Sequence, residues 1–193
     1  MTVQSAVRPL TPDRVADLEA PFETSRVTRP CFCMNWRVTA KEWREAGSHE
    51  RRAAIGSRAG KGPPPGLLAY RDGEAVGWVQ VTPRADTPRF NAARTATPEQ
   101  GADVTAVWAR SCFYIRRDAR REGLMAGLAR AACVLAAEHG ATAVDAAPIA
   151  SASKAAWEDG YVGFETALAR AGFTVVERRT DRRALMRWVP GPT

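Results

Sequence analysis

The 193-residue sequence holds only two histidines, His49 and His139, and only three lysines, Lys41, Lys61 and Lys154. So few imidazoles leave a metal centre to the cysteines, which do not make one. Cys31 and Cys33 stand close together, but Cys112 and Cys133 are remote and complete no zinc-ligand spacing. No metal is therefore expected. No run approaches the roughly 18 to 20 apolar residues needed to span a bilayer, and "MTVQSAVRPLTP" has no apolar core of signal-peptide length. A cytoplasmic location without a membrane partner is the expectation, and there the cysteines stay reduced. The net charge of +7 and pI near 9.8 call for anionic partners, yet the scarcity of lysine means that arginine carries nearly all of it. With no lysine tail, no helix-turn-helix pattern and no aromatic RNA-binding strand motif, nucleic acid is not an expected partner. No internal repeat or low-complexity tract is present.

What is present is ordinary globular composition, 45% hydrophobic and 25% charged residues, at a length that suits a single domain over residues 1–193. "TVQSAV" alternates like a strand. "TPDRVADLEAPF" reads as a helix with Thr11 as N-cap, Pro12 at its first position and Val15, Leu18 and Phe22 at helical spacing. Thr39 and Glu42 form a capping box that opens "AKEWREAG". A second helix is expected to continue irregularly through "SHERRAAIGS" until "RAGKGPPPG" breaks into a loop. "GLLAYRDGEAVGWVQVTPR" is a hairpin around Asp72-Gly73, and "ADTPRFNAARTATPEQGAD" reads as irregular surface loop. "VTAVWARSCFYI" is a strand that enters "RRDARREGLMAG", and "LMAGLARAACVLAAEHG" is a helix closed by Gly140. "ATAVDAAPI" is a strand, "SASKAAWEDGYVG" a loop and "FETALARAG" a short helix. "FTVVERRTDRRALMRWV" gives two last strands around Thr180-Asp181. The order β, α, α, β, β, β, α, β, α, β, β predicts a mixed α/β fold, with helices on both faces of a mixed sheet and one βαβ crossover over residues 104–149.

Chemistry concentrates in that crossover. A strand runs into a tight turn and then into a helix expected to begin at Arg121, Glu122, Gly123, Leu124 and Met125. Unpaired N–H groups and the positive end of a helix dipole make such a place an anion site, and Gly123 lets backbone approach a phosphate. A solvated charged turn is the alternative on these residues alone.

"CFYIRRDARREGLMAGLARAA" resembles the central motif of the GNAT N-acetyltransferases, in which a strand leads into an Arg/Gln-x-x-Gly-x-Gly/Ala pyrophosphate loop. Arg120-x-x-Gly123 matches its first half, and Met125 stands where the family has a second glycine or alanine. The order of elements, the Asp-Gly hairpin and "ALARAGF", which resembles the family's closing Tyr-Glu-Lys-x-Gly-Phe, carry the resemblance over much of the chain. "CFCMNWR" and "DGYVGFETALARAGF" are similar to a bacterial branch marked by Cys-x-Cys-Met-x-Trp-Arg. The resemblance implies a mostly antiparallel sheet of roughly six or seven strands with a splayed central pair. It also implies acetyl-CoA as cofactor and direct acetyl transfer to a primary amine of a small molecule or peptide. Pyrophosphate would lie on the backbone of residues 121–126, among Arg120, Arg121, Glu122, Gly123, Leu124, Met125 and Ala126. The pantetheine arm would lie along Phe113, Tyr114 and Ile115. A CoA-binding module with little transferase activity, and a transferase for an aminoacyl-RNA or protein amine, are the alternatives. Homodimerisation stays open.

The family's acid, a tyrosine, falls here at Leu168, which has no proton to give. Tyr161, at the place of a family asparagine that contacts CoA, is a replacement acid, a cofactor contact or a structural tyrosine. Glu158 and Asp159 beside it accept a proton, bind a cationic acceptor or sit in solvent. Cys31, Cys33, Trp36 and Arg37 wall the acceptor pocket or form a core-packing turn. A cysteine nucleophile would need a lowered pKa, for which Arg29 and Arg37 could supply charge. Trp78 and Trp108 shape the pocket or fill the core, Cys112 fills the central strand, and His139 sits at a helix end, where it meets the dipole.

Overall fold

A computed structural model of the chain describes residues 6–23, 25–150 and 160–191. Seven strands, β1 (Ala6–Pro9), β2 (Gly66–Arg71), β3 (Glu74–Pro83), β4 (Val107–Ile115), β5 (Ala143–Ala146), β6 (Thr174–Thr180) and β7 (Arg183–Trp188), lie in the order β1-β2-β3-β4-β5-β7-β6. Every pairing is antiparallel except β4 with β5, which is the expected crossover. Six helices accompany them among the described residues: α1 (Val15–Glu23), α2 (Ala40–Glu45), α3 (Ser48–Lys61), α4 (Pro88–Ala92), α5 (Leu124–Glu138) and α6 (Glu165–Arg170). Alternation along the strands divides two cores. Leu67, Val79 and Phe113 face α5 and α6, whereas Leu68, Trp78 and Tyr114 face α1, α3 and the segment around Phe32.

The β2–β3 hairpin turns through Asp72 at φ 52° and Gly73 at φ 83°, the paired left-handed conformation that an Asp-Gly turn favours. Thr39 caps α2 as expected: its hydroxyl accepts from the Glu42 N–H at 3.3 Å, and the Glu42 carboxylate accepts from the Thr39 N–H at 2.7 Å. Gly140, at φ 82°, closes α5, and the Ala141 N–H returns to the Ala136 carbonyl at 2.9 Å.

Four local expectations are corrected. Thr11 makes no cap, because its hydroxyl accepts from Arg14 Nη1 at 2.6 Å, and a 3-10 turn over Pro12–Arg14 precedes α1. α3 is regular and reaches Lys61, since Ile55 and Ala59 bury one side of it. Residues 85–103 contain α4, pinned by the buried Phe90. α5 starts at Leu124 rather than Arg121, because Arg121 (φ 69°) and Gly123 (φ 78°) are left-handed. In the first strand, residues 2–5 of "TVQSAV" lie outside the described residues.

Two features of β4 position the site. It pairs with β5 only at Val107↔Ala143, Trp108↔Val144 and Ala109↔Asp145; β5 ends at Ala146 while β4 runs on to Ile115. The central pair therefore splays. Opposite Gln80 and Val81, β4 also carries a bulge, with Ser111 as the extra residue between Arg110 and Cys112. Asp145, at the last paired position of β5, is fully buried with Arg84; Arg84 Nη1 meets its Oδ2 at 2.5 Å and Arg187 Nε meets its Oδ1 at 2.7 Å.

Candidate active site

The turn between β4 and α5 is built from charge pairs. Arg116 reaches Glu74 at 2.7 Å and Asp118 at 2.8 Å, and Arg71 from the hairpin reaches Asp118 at 2.6 Å and Glu122 at 3.3 Å. The hydrogen bonds that Arg116 donates to Asp118 and Glu74 hold its guanidinium above its ordinary range. Arg120 Nε donates to the Ile115 carbonyl at 3.0 Å. Much of the basic run is thus committed to holding the turn. The left-handed residues Arg121 and Gly123 then leave the N–H groups of residues 121–125 with no acceptor among the described residues; the first to find one is Ala126, which donates to the Gly123 carbonyl at 3.1 Å. These donors stand at the positive end of a 15-residue helix. A Cβ added at Gly123 would meet nothing within 4 Å.

A cavity of about 320 Å³ opens over these N–H groups, between the free end of β4 and α6. All the residues expected around the cofactor line it except Glu122, whose side chain turns outward to Arg71. Sequence reasoning missed Phe164, the N-cap of α6, and Thr166, Ala167 and Arg170, which α6 presents to the cavity while Leu168 and the C-cap Ala171 go to the core. The helical spacing of "FETALARAG" was the available signal.

A second cavity, about 440 Å³, lies beside β4 and is lined by Cys31, Cys33, Trp36, Trp43, Thr95, Cys112 and Arg183, among others. Tyr161 lines both cavities, at the place where they meet the splay. Three residues expected in the acceptor wall are elsewhere. Arg37 is buried; its Nη1 donates to Thr82 Oγ1 at 3.0 Å and its Nη2 to the Pro65 carbonyl at 2.6 Å, and burial pushes its guanidinium down to about 9. Trp78 is fully buried, and its Nε1 donates to Cys33 Sγ at 3.0 Å. Trp108 packs in the core on the α5 side and stacks on His139 with centroids 6.0 Å apart. Large aromatics on a central strand have more apolar surface to bury than a wet pocket can cover.

Cys33 Sγ lies 3.5 Å from Cys112 Sγ, and burial pushes the thiols of both Cys31 and Cys33 up, the reverse of what an activated nucleophile needs. Leu168 is fully buried, so the family's usual acid position is core here. Glu158 and Asp159 lie outside the described residues.

A model of the acetyltransferase (GNAT) family matches residues 30–159. The chain belongs to that family. Solved structures similar to this acetyltransferase include a GNAT-family acetyltransferase from Streptococcus pneumoniae, 18% identical with a TM-score of 0.54 over 97% of this chain and 100% of that one. A ribosomal-protein-alanine N-acetyltransferase from Brucella melitensis is 17% identical, with a TM-score of 0.55 over 96% and 99% of the two chains. The aminoglycoside acetyltransferase AAC(6')-Ib in complex with coenzyme A and kanamycin is 15% identical, with a TM-score of 0.54 over 96% and 95%. No curated protein matches the sequence at a significant level.

The fit of a CoA-type group can be tested on this GNAT chain itself. The consecutive free N–H groups of residues 121–125, the open space at Gly123 and a β4 edge that, among the described residues, has no partner strand on its β5 side past Ala109 suit a pyrophosphate and an extended amide arm. The residues present fit that group.

Proposed function

We propose that residues 1–193 form one acetyltransferase domain that moves an acetyl group from acetyl-CoA to a primary amine of a small molecule or peptide. The observation that carries this reading is the row of free N–H groups at residues 121–125 on the floor of a cavity that runs along the free edge of β4. When bound, acetyl-CoA supplies a thioester carbonyl. Residues 121–125 hold the pyrophosphate by backbone donation, with the α5 dipole adding to the field. The free edge of β4 from Phe113 to Ile115 takes the amide arm as an added strand and aims an N–H at the carbonyl oxygen, a stabilisation worth most in a water-excluded cleft. Tyr161 faces both cavities, which supports a role for its hydroxyl as the proton donor at the departing sulfur. Cys31, Cys33 and Trp36 are walls for the acceptor, which attacks as a neutral amine.

Thermal melting with acetyl-CoA tests this. At one hundred times the dissociation constant, a ligand that binds only the folded state adds about 2.7 kcal/mol, which for a chain of this length is a rise of roughly 5 to 10 °C. Gly123→Glu places a carboxylate on the phosphate floor and abolishes the rise. No rise in the parent, or an equal rise in the variant, overturns the reading.

A further inference from the structure

Three of the four cysteines meet at one place. Cys31, Cys33 and Cys112 all line the second cavity, whereas Cys133 is fully buried in the core on the α5 side of the sheet. Cys33 Sγ stands 3.5 Å from Cys112 Sγ, although 79 positions separate the two in the chain. The contact is held from both sides. Phe32 (φ 44°) and Cys33 (φ 53°) are consecutive left-handed residues, a conformation that non-glycine residues keep where their surroundings enforce it. The buried Gln80 is part of that enforcement. With its amide oriented so that both ends are paired, its nitrogen donates to the Cys33 carbonyl at 2.7 Å and its oxygen accepts from Ser111 Oγ at 2.9 Å. One side chain thus holds the backbone of Cys33 and the bulge residue that precedes Cys112.

The sulfurs are oriented as well. Trp78 Nε1 donates to Cys33 Sγ at 3.0 Å, Cys33 Sγ faces Cys112 Sγ, and Cys112 Sγ reaches the Phe113 carbonyl at 3.7 Å. The indole N–H favours negative charge on Cys33 as its proton leaves. Burial acts against this and keeps the Cys33 thiol well above its ordinary range, so its oxidation is slow, and the contact decides which product forms. Closing from 3.5 Å to the roughly 2.05 Å of a disulfide is a movement of about 1.5 Å, within reach of small χ1 rotations at the two residues. The acetyl transfer described above leaves both thiols unused.

We propose that Cys33 and Cys112 are a reversible disulfide site in the wall of the second cavity, closed by a peroxide and reopened by a dithiol. With hydrogen peroxide, the Cys33 sulfur takes one oxygen, the O–O bond breaks, and a water leaves with the Cys33 proton, which gives a sulfenic acid. The Cys112 sulfur then attacks that sulfur, the S–O bond breaks, and a second water leaves with the Cys112 proton. Two electrons pass from the thiols to the peroxide. A dithiol reverses the bond by exchange and is itself oxidised to a disulfide. Neither cysteine lines the first cavity, so the bond acts on the second alone. The linkage does not depend on the acetyltransferase reading.

The test treats the folded chain with hydrogen peroxide, unfolds it, caps the remaining thiols with iodoacetamide and maps the peptides by mass spectrometry. The expected result is one intramolecular bond, Cys33–Cys112, with Cys31 and Cys133 capped; dithiothreitol restores four capped thiols. Cys31, the most exposed of the three cavity thiols, is the built-in competitor. Cys31→Ser and Cys133→Ser keep the bond, whereas Cys33→Ser and Cys112→Ser each abolish it, and either of these two suffices where the other fails to fold. A cross-link that closes a loop of this length without distorting the fold raises the melting temperature of the oxidised parent by roughly 5 to 15 °C. A bond through Cys31 or between chains, over-oxidation with no bond, or a melting temperature that does not rise on oxidation overturns the proposal. So does a melting rise with acetyl-CoA that is present in the reduced chain and lost in the oxidised one. Absence of that rise in both forms overturns the cofactor reading instead, and the peptide map still decides the disulfide.

Discussion

Asp145→Asn removes the carboxylate that pairs with both Arg84 and Arg187 and ties β5 to its neighbours at the splay. In the native chain, Arg84 Nη1 donates to Oδ2 at 2.5 Å, and Arg187 donates to Oδ1 at 2.7 Å and to Oδ2 at 3.0 Å. Arg84 and Asp145 are both fully buried, whereas the Arg187 side chain is 25% exposed and retains a route to water. The asparagine side chain is uncharged, keeps one acceptor oxygen and turns an NH₂ group towards a guanidinium. Arg84 is then a buried charge without a counter-ion. Breaking such a pair on one side costs about 3–5 kcal/mol. With a urea m-value of about 2 kcal/mol/M, the unfolding midpoint falls by roughly 1.5 to 2.5 M. The double variant Arg84→Met, Asp145→Leu removes both charges at once and should recover at least half of that loss, because the attraction in the native pair is largely offset by desolvation. Urea titration of the parent, the single and the double variant reads all of this directly. A midpoint for Asp145→Asn corresponding to a loss within about 1 kcal/mol would refute the reasoning.

Tyr161→Phe keeps the ring between the two cavities and removes only the hydroxyl, so kcat should fall roughly a hundredfold while the melting rise with acetyl-CoA persists; an unchanged kcat excludes Tyr161 as the acid. Glu165 opens α6, and its carboxylate accepts from Arg178 at 2.7 and 2.8 Å, bonds that hold it below the usual carboxylate range. A lowered folded pKa stabilises above the ordinary glutamate range, and that contribution disappears as pH falls through the folded value. Glu165→Gln therefore lowers the melting temperature at pH 7 by an amount that shrinks as pH falls below the ordinary glutamate range, and a difference that grew in acid would contradict the ion pair.

The legible parts of the sequence were those whose signals are local. Asp72-Gly73 needs no partner beyond its own strands to define a turn, and the Thr39–Glu42 box closes within four residues. The family motif likewise spans one strand, one turn and one helix start. The errors lie where a distant partner decides. Thr11 has the right chemistry for a cap, but the Arg14 guanidinium takes its hydroxyl. Arg37 sits amid pocket residues in the sequence, yet its donors go to Thr82 and Pro65, 45 and 28 positions away. Trp78 is drawn into the core with Cys33, across a similar separation. The turn before α5 was half legible: Gly123 announced itself, but the left-handed turn at Arg121, which frees the N–H groups, carries no residue signature.

The single extra residue at Ser111 makes the length of β4 matter as much as its composition. Side chains alternate along a strand, and the bulge resets that alternation, so that Trp108 and Phe113 both face α5 while Ala109, Cys112 and Tyr114 look the other way. It also lets Arg110 lie on the Phe113 ring, 4.5 Å from its centroid. Deleting Ser111 would restore an unbroken pleat with each side chain on the face it already holds, because Arg110 and Cys112 already pair with the adjacent Val81 and Gln80, whereas adding or removing one residue at a regular position of β4 would exchange the faces on one side of it. Which cavity each residue of β4 serves is thus a matter of odd and even counting. Away from the bulge, a change in residue number in this strand is expected to be tolerated less well than a substitution.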